Sequence, residues 1–354
     1  MCWNFRINLS LMDATSRYSK PLITIVLATY NRPQTLRLAV KSVLLQTFPK
    51  WKLLVIGDKC DSRTRKVMDE FLSDNRIHYV NISKRSGSQA LPNSAGMQLA
   101  QTKYISLLNH DDLWVADHLE IGLESLKKNK KANLFVARSV KVNNSGKKGI
   151  KMHYTRPNLQ MKDTLSNKYL FEPASAWIFK KDLADKTGPW RSSQNIFRTP
   201  LHDWALRAWR AGAVLITNPK ITCIKIQTHI NNSEVANEYD SAADEHEKMF
   251  KMLSSNSSDR FRFLLEQDVS DSKEESGRNN LSNKIMSWLT QTYFFTSLYY
   301  KTGFDIFSFI SKKTGREKGG IMNKLLLERT NEKLEAFPSL EEIKEEISIM
   351  LTNQ

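Results

Sequence analysis

Acidic side chains follow two apolar segments of the chain, at the point where each segment ends. Asp58 closes the run Trp51–Gly57, and the adjacent Asp111 and Asp112 come soon after Lys103–Leu108. Adjacent carboxylates on a loop suit a hard divalent cation, because Mg²⁺ is typically held by one or two carboxylates together with phosphates and waters. The pattern therefore predicts a metal–phosphate site, with Asp111 as the metal ligand.

Each of these acids also has a purely structural alternative. Asp112 precedes a predicted helix over Ala116–Lys128, where an acid favours the helix N-terminus, and we assign it mainly to that role. An Asp that follows a strand, as Asp58 does, is often only a turn former. A binding role for Asp58 is nevertheless favoured, because Thr29, Asp58 and Asp111 form a set of polar residues from three predicted loops.

Alternating strands and helices position these loops. Apolar, β-branched runs predict strands buried on both faces, and stripes at helical spacing predict the helices between them. The strands are predicted at Leu22–Ala28, Trp51–Gly57, Ile77–Ile82 and Lys103–Leu108. Asn31 is a candidate N-cap of the first helix, and Pro33 suits its first turn. Such βαβ units form a parallel sheet, which binds ligands outside the carboxyl ends of its strands.

The pattern is looser beyond residue 130. Strands are predicted at Asn133–Val142, Ala174–Lys180, Ala213–Thr217 and Ile221–Gln227, with a helix at Leu201–Arg210, a polar linker at 269–283 and helices thereafter. We therefore predict a lead-in over residues 1–20, an α/β domain over 21–240 and a helical C-terminal region over 241–354.

Composition limits the class of protein. The 354 residues are 40% hydrophobic and 25% charged, which is typical of a globular protein. Cys2, Cys60 and Cys223 suggest neither a disulfide framework nor a zinc site, and indicate a reducing compartment. No segment resembles a signal peptide or approaches the ~20 apolar residues of a spanning helix. We expect a cytoplasmic protein, either free or peripheral at the inner face of the membrane.

The net charge of +16 is concentrated in residues 1–240, which hold 37 basic and 19 acidic residues. Such a field could attract phosphates, an anionic membrane or nucleic acid, or serve solubility alone. The chain has no recognition helix, zinc finger or aromatic RNA-binding signature, so we predict no nucleic-acid partner.

An aromatic stripe in the C-terminal region has two interpretations. It comprises Ile285, Trp288, Leu289, Phe295, Leu298 and Tyr299, and it ends near the basic residues Lys312, Lys313, Arg316 and Lys318. The stripe could lie on a membrane surface. Helix–helix packing is the favoured interpretation, because aromatic stripes usually face a core.

Five segments, in order, resemble the family 2 nucleotide-sugar glycosyltransferases. They are Ile25–Pro33, Ser42–Pro49, Val55–Asp58, Ser86–Gly96 and Tyr104–Trp114, the last of which resembles the strand that ends in the family's D-x-D motif. The similarity is clear over residues 21–128 and thinner to about residue 230. It implies a GT-A fold, which is a Rossmann-like α/β domain with a mainly parallel sheet, followed here by a helical C-terminal region.

The resemblance also implies roles for individual residues. Thr29, Asn31 and Asp58 would contact the nucleotide-sugar, Asp58 through the base. Asp111 matches the last acid of D-x-D, which binds Mn²⁺ or Mg²⁺ joined to the diphosphate. Asn109 stands where the first acid is expected, and this departure weakens the contact expected there.

A general base is needed as well, because inverting transfer requires a carboxylate to take the acceptor's proton. The segment Leu201–Arg210 resembles the family's stretch at this point, with Asp203 as the candidate base. The structural alternative is that Asp203 only caps this helix. We assign Trp190 and Trp204 to the core rather than to stacking on a sugar.

The function implied by the resemblance is an inverting glycosyltransferase of the hexosyltransferase type, acting in polysaccharide or glycoconjugate synthesis. Its partners would be a nucleotide-diphospho-sugar donor and a glycan or lipid-linked acceptor, with or without peripheral membrane contact. The alternative is a catalytically inactive nucleotide-sugar-binding or scaffold domain of the same fold. This alternative stays open because Asn109 stands where the first acid of the motif is expected.

Overall fold

The structure is a computed structural model and describes residues 20–144, 150–154, 173–227, 243–267, 292–330 and 337–352. Within these residues a nine-stranded sheet, in the order β3-β2-β1-β4-β8-β6-β9-β5 with β7 paired to β6, is followed by helices. This is the mixed α/β architecture with a helical C-terminal region that the sequence predicts.

The first half of the sheet is entirely parallel. Its elements are β1 (Ile23–Thr29), α1 (Pro33–Leu44), β2 (Trp51–Asp58), α2 (Ser62–Asp69), β3 (Ile77–Ile82), α3 (Ala90–Leu99) and β4 (Tyr104–Leu107). All seven residues of β1 are buried, because β2 and β4 flank this strand on either side. The predictions of these four strands and of Pro33 in the first helical turn are confirmed.

Helix α3 packs very closely on this half of the sheet. A Cβ atom at Gly96 would lie 2.4 Å from Cγ1 of Val26 in β1 and 3.1 Å from Cδ1 of Ile56 in β2. Any side chain at this position would therefore push the helix away from the strands.

The second half of the sheet is mixed. Its elements are β5 (Asp112–Trp114), α4 (His118–Lys128), β6 (Leu134–Asn144), β7 (Ile150–Tyr154), β8 (Trp177–Lys180), α5 (Lys181–Thr187), α6 (Pro200–Arg210) and β9 (Leu215–Gln227). β8 is antiparallel to β4 and β6, β7 to β6 and β5 to β9, whereas β6 and β9 are parallel. The sheet is mainly parallel, as predicted, because the parallel pairings include its longest ones.

Three local predictions in this half are wrong. Asp112 does not lie at a helix N-terminus: it begins β5, where it pairs with Lys225, and α4 begins only at His118. Residues Ala174–Ala176 form a 3-10 turn before β8, and β9 is one continuous strand instead of two. The strand partner of Asp112 is more than a hundred residues away, so local sequence could not reveal it.

The C-terminal helices are α7 (Ala243–Ser254), α8 (Ser258–Gln267), α9 (Tyr293–Thr302), α10 (Ile306–Lys313), α11 (Gly320–Thr330) and α12 (Leu340–Thr352). The predicted linker at 269–283 and the stripe residues Ile285, Trp288 and Leu289 lie outside the described residues. From the rest of the stripe, Tyr299 stacks on Trp209 of α6 with ring centroids 6.2 Å apart, as the packing interpretation predicts.

Three of these helices complete the core of the α/β part. Ile343 and Ile347 of α12 are buried in the main core, where α12 packs on α3 and β3. Met249 of α7 and Phe261 of α8 are buried in a second cluster with residues of β5, β6 and β9. Apolar burial therefore ties the C-terminal helices to the sheet that carries the candidate site.

Candidate functional site

The carboxyl ends of β1 and β2 lie side by side. Thr29 is in register with Gly57, so Asp58 lies one residue beyond Thr29 at the same edge of the sheet. The Thr29 side chain is buried, and its Oγ1 has no hydrogen-bond partner within the described residues. A buried hydroxyl normally has a partner, so Thr29 offers an unused donor and acceptor at this edge.

Asp58 is buried and held by backbone amides. Its Oδ1 accepts a hydrogen bond from the Ser86 N–H at 2.6 Å, and its Oδ2 accepts one from the Gly87 N–H at 3.0 Å. Gly87 has φ +72°, a left-handed conformation that favours glycine and turns successive amides towards the carboxylate. Each carboxylate oxygen keeps acceptor capacity beyond these bonds.

Electrostatics at Asp58 reflect its burial. Burial raises the pKa of Asp58, and this rise is partly offset by the hydrogen bonds from Ser86 and Gly87 and by the charge of Arg85. The Arg85 guanidinium lies 3.7 Å from the centroid of the Tyr30 ring. Arg85 therefore connects the loop after β3 to the loop after β1.

Asn31 is not the N-cap of α1, which corrects the prediction. Arg32 precedes the helix, without a side-chain cap, and Asn31 has φ +44°. The Asn31 Oδ1 accepts a hydrogen bond from the Asp61 N–H at 2.8 Å, so it supports the loop after β2. Asn81 supports the same loop, because it accepts from the Cys60 N–H at 2.7 Å and donates to the Cys60 carbonyl at 2.9 Å.

The loop after β4 is organised around Asp112. Its Oδ2 accepts hydrogen bonds from the Asn109 Nδ2 at 2.7 Å and from the Ser175 hydroxyl at 2.6 Å, and the Ser175 Oγ in turn accepts from the Asn109 N–H at 2.9 Å. An ionised Asp at position 109 could not donate to Asp112 and would repel it. The departure from the D-x-D pattern therefore has a structural role here.

The pKa values of the adjacent carboxyls Asp111 and Asp112 are shifted in opposite directions. Burial, together with the charge of Asp111, raises the pKa of Asp112 to about 7. Burial also acts to raise the pKa of Asp111, but the positive charges of His110, Arg32, His246 and Lys225 outweigh it and leave that pKa below its usual value. Because its pKa is lowered while that of Asp112 is raised, Asp111 is the ionised member of the pair, and its side chain is only partly buried.

Asp111 and its neighbours could hold a divalent ion because, of the two adjacent acids, Asp111 has the lowered pKa. Across the residues described, no three His, Cys, Asp or Glu side chains converge to hold a metal by themselves. An ion shared with a diphosphate needs only one or two carboxylates from the protein. Asp111 fits such a shared site, and Arg32 and Lys225 place further positive charge beside it for phosphate oxygens.

His246 of α7 is a contact that sequence reasoning missed. Its Nε2 lies 3.0 Å from the backbone carbonyl oxygen of Asp111, and the side chain is buried. His246 follows Asp111 by 135 residues, and neither spacing nor a motif signals this contact. Helix α7 therefore supports the loop that carries the candidate metal ligand.

Asp203 lies in the first turn of α6 but does not cap the helix. Thr199 is the N-cap, and its hydroxyl accepts from the His202 N–H. The Asp203 carboxylate is paired with Arg207 Nε at 2.8 Å and with Arg191 Nη1 at 3.4 Å. The capping alternative is therefore wrong, and the role as general base stays a prediction.

Arg207 also orients the chain segment before Asp203. Its Nη1 donates to the Thr187 carbonyl at 2.5 Å and its Nη2 donates to the Pro189 carbonyl at 2.7 Å. Trp204 is buried against Trp177 and Phe179 and donates from Nε1 to the Gly188 carbonyl at 2.9 Å. The prediction that Trp204 belongs to the core is confirmed, and the same holds for Trp190, which is 1% exposed.

The structure brings most of the predicted site residues to one edge of the sheet. Thr29, Asn31 and Asp58 share linked loops after β1 and β2, and Asn109 and Asp111 share the loop after β4. Asp203 stands apart: within the described part of the chain its hydrogen-bond and ion-pair partners are the two arginines of its own region. Arg207, Arg191, Ser175 and the Ser86–Gly87 amides were not foreseen as partners of these acids.

Comparison with known proteins finds similarity in the first half of the chain. Residues 24–188 match the family model described as "Glycosyl transferase family 2". Two curated relatives are similar over about a third of the chain. One, TuaG of Bacillus subtilis (strain 168), is named as a glycosyltransferase of teichuronic acid biosynthesis and is 34% identical over 106 residues, 30% of this chain and 42% of TuaG.

The second relative is WfgD of Escherichia coli, named as a UDP-Glc:α-D-GlcNAc-diphosphoundecaprenol β-1,3-glucosyltransferase. It is 34% identical over 108 residues, which are 30% of this chain and 42% of WfgD. The match thus spans less than half the length of either relative.

A solved structure shares the fold. The crystal structure of S. aureus TarS 1-349 in complex with UDP-GlcNAc aligns with a TM-score of 0.50 and 13% sequence identity, over 77% of this chain and 79% of the TarS 1-349 chain. The likeness supports the predicted GT-A fold. No helix in the described parts of the chain is both long and apolar enough to cross a bilayer.

Proposed function

We propose that the chain is a family 2 glycosyltransferase, whose family model residues 24–188 match, and that it transfers a sugar from a nucleotide-diphospho-sugar to an acceptor hydroxyl with inversion. The observation that carries the proposal is the environment of Asp111. It is a partly buried carboxylate of lowered pKa, beside Arg32 and Lys225, at the carboxyl edge of the parallel strands. Diphosphates bind at such edges.

The donor would lie across the loops after β1, β2 and β4. The unpartnered hydroxyl of Thr29 and the remaining acceptor capacity of Asp58 would face the nucleoside. Asn31 would hold the loop that carries these contacts, and Asn109 would fix the loop around Asp111. Mn²⁺ or Mg²⁺, held by Asp111 and the diphosphate, would supply charge neutralisation at the leaving group.

Asp203 would act as the general base. The acceptor oxygen forms a bond to the anomeric carbon while the bond from that carbon to the diphosphate oxygen breaks. The acceptor proton passes to the Asp203 carboxylate, and the nucleoside diphosphate leaves with the bonding electron pair. Arg207 and Arg191 would orient the carboxylate before transfer.

The names of the relatives suggest which substrates to try first. WfgD is named for a UDP-Glc donor and a diphosphoundecaprenol-linked acceptor, and TarS was crystallised with UDP-GlcNAc. We propose a UDP-hexose as the donor and a glycan, free or on a lipid diphosphate, as the acceptor, in the synthesis of a polysaccharide. We further propose that the domain over residues 21–240 contains the whole donor site.

The alternative is an inactive domain that binds nucleotide-sugars or serves as a scaffold. The observation that favours it is that the Asn109 side chain is engaged with Asp112. This alternative predicts donor binding, or no binding, without turnover.

The test combines donor binding with turnover. Thermal shift and release of nucleoside diphosphate would be measured with UDP-, GDP- and dTDP-sugars, in Mn²⁺ and in EDTA. Asp111→Asn would be compared with Asp185→Asn, which makes the same change on an exposed residue of α5. Metal-dependent release that Asp111→Asn abolishes and Asp185→Asn keeps is the expected result.

Two other outcomes would contradict the proposal. Donor binding without release, even with lipid-diphosphate glycans added as acceptors, would favour the inactive domain. Release that is equal in Mn²⁺ and EDTA and unaffected by Asp111→Asn would remove the metal role of that residue.

A further inference from the structure

Exposed aromatic side chains are concentrated on α9 and α10. Among the described residues, four of the five Phe, Tyr and Trp side chains that stand out as exposed lie between residues 292 and 313: Phe294, Tyr300, Phe304 and Phe309. Phe294 is 66% exposed and Phe309 is 46% exposed. Leaving so much aromatic surface in water is costly, and contiguous patches of this kind usually mark an interaction site.

Part of this surface is demonstrably contiguous. The rings of Phe304 and Phe309 lie 5.5 Å apart, and the Lys313 ammonium lies 6.0 Å from the Phe309 ring centroid. The apolar patch and a positive charge are therefore in contact with one another.

The charge around the patch is strongly one-sided. Five exposed basic side chains lie between residues 292 and 318: Lys301, Lys312, Lys313, Arg316 and Lys318. The acids in the same range are Asp305 and Glu317. Asp305 is neutralised by two hydrogen bonds from Arg198, at 2.8 and 2.9 Å, which leaves Glu317 as the acid opposing five cations.

The inner side of these helices is anchored to α6. Tyr299 and Tyr300 pack on Trp209, with ring centroids 6.2 and 4.9 Å away, and Asp305 pairs with Arg198 just before α6. Asp203 lies on this same helix. The exposed side of α9 and α10 is thus attached to the element that carries the candidate base.

We propose that Phe294, Phe304, Phe309 and the five exposed cations of the same segment form a docking surface for an anionic lipid bilayer. Aromatic side chains favour the interface between water and lipid, and cationic side chains are attracted to anionic headgroups. Either signal alone gives weak and reversible attachment, whereas the two together support stable binding.

Charge complementarity selects lipid over a second copy of the chain. A twofold contact through this surface would bring like cations against each other, which opposes association. An anionic bilayer instead satisfies the cations and accepts the aromatic rings at once. Docking here would place α6 and Asp203 beside the membrane, where a lipid-linked acceptor would be found if the proposed function holds.

Vesicle sedimentation of the full chain tests the surface. Vesicles of phosphatidylcholine with phosphatidylglycerol would be compared with vesicles of phosphatidylcholine alone, at low and at high salt. The expected result is binding that requires the anionic lipid and weakens as salt rises. Lys312→Glu/Lys313→Glu should weaken partitioning at least about tenfold.

Two further variants make the test specific. Lys130→Glu/Lys131→Glu makes the same charge change on exposed residues after α4 and should keep wild-type partitioning. Phe304→Ser/Phe309→Ser should also weaken partitioning, by about tenfold, because the variant has less aromatic surface to bury in the lipid interface. Melting temperatures and donor binding would be measured on every variant, so that a folding defect or a failure of the proposed function is seen separately.

The proposal is overturned if both surface variants bind vesicles like wild type. It is also overturned if the Lys130/Lys131 control loses as much vesicle binding as the Lys312/Lys313 variant. Loss in the lysine variant with none in the phenylalanine variant would reduce the surface to a general anion-binding patch and overturn the lipid assignment. A change from dimer to monomer in the phenylalanine variant, with vesicle binding intact, would assign the patch to a second copy.

Discussion

Asp58 and Asp203 are candidate site carboxylates in two different regions, and different groups hold them in place. Asp58 accepts hydrogen bonds from two successive backbone amides, those of Ser86 and Gly87, at the edge of the parallel half of the sheet. Asp203 is paired with two guanidinium groups on and before α6, beside the mixed half.

The difference bears on function. Backbone amides are fixed by the fold, so Asp58 has little freedom and is suited to orienting a loop and a bound nucleoside. Arginine side chains can re-pair when a ligand enters, so Asp203 can exchange a partner for an acceptor hydroxyl. Under the proposed function, the first region would bind the donor and the second would accept the proton.

Replacing Asp203 should have the largest effect. Asp203→Asn removes the proposed base, and we expect turnover to fall by about 10²–10⁴-fold with the dissociation constant of the donor unchanged. Steady-state kinetics and calorimetric donor titration would measure the two quantities. Asp182→Asn, which makes the same change on an exposed Asp in the first turn of α5, is the control and should keep the activity. Unchanged turnover in Asp203→Asn would place the base elsewhere.

Asp58→Asn should act on binding instead. The amide has one acceptor oxygen, so one of the two backbone N–H groups loses its partner. The uncharged amide also loses the acceptor that is proposed to face the nucleoside. A hydrogen bond to a charged acceptor is worth about 1.5–3 kcal/mol, so loss of that contact should lower donor affinity about ten- to a hundredfold, with turnover at saturating donor largely kept. Calorimetry with a UDP-hexose checks this. A loss confined to turnover would break the contrast between the two acids.

The dependence of stability on pH distinguishes the regions further. Burial, and then Arg198, lowers the pKa of His202, next to Asp203, to about 4. Between about pH 6.5 and pH 4, His202 therefore binds a proton in the unfolded chain but stays neutral in the folded chain. The free energy of unfolding falls as the pH drops through this range.

Replacing His202 should remove this dependence. His202→Gln should eliminate a slope of at most about 1.4 kcal/mol per pH unit in the free energy of unfolding over this range. Urea unfolding of wild type and variant at several pH values measures it. Parallel stability curves for the two proteins would show that His202 is protonated in the folded state.

The smallest predicted effect concerns α12. The Glu346 carboxylate accepts a hydrogen bond from the Ser83 N–H at 2.6 Å, three residues before the amide that binds Asp58. Glu346→Gln should loosen this loop and weaken donor binding about two- to fivefold, since partly exposed charged contacts contribute little. Glu345→Gln, on the neighbouring exposed residue, is the matched control. Equal affinities in both variants would confine α12 to a packing role.

The parallel half of the sheet was largely predictable from local sequence. The segment Leu22–Ala28 is apolar and β-branched throughout because the strand it forms is enclosed on all sides, and burial leaves a continuous signal. The segments resembling family 2 also cover this half, and the family model matches residues 24–188. The mixed half was less predictable, because Asp112 and β5 depend on pairing with β9, which is distant in sequence.

The sequence by itself indicated the strands of the parallel half, the acids at their ends and the resemblance to family 2, because apolar runs and motif residues are local. The tertiary structure alone decided which groups these acids contact. Ser175 and His246 reach the Asn109–Asp112 loop across long stretches of chain. It also decided that the pKa of Asp111 is lowered while that of Asp112 is raised, because the pKa of a carboxyl depends on burial and on charges brought near it by folding.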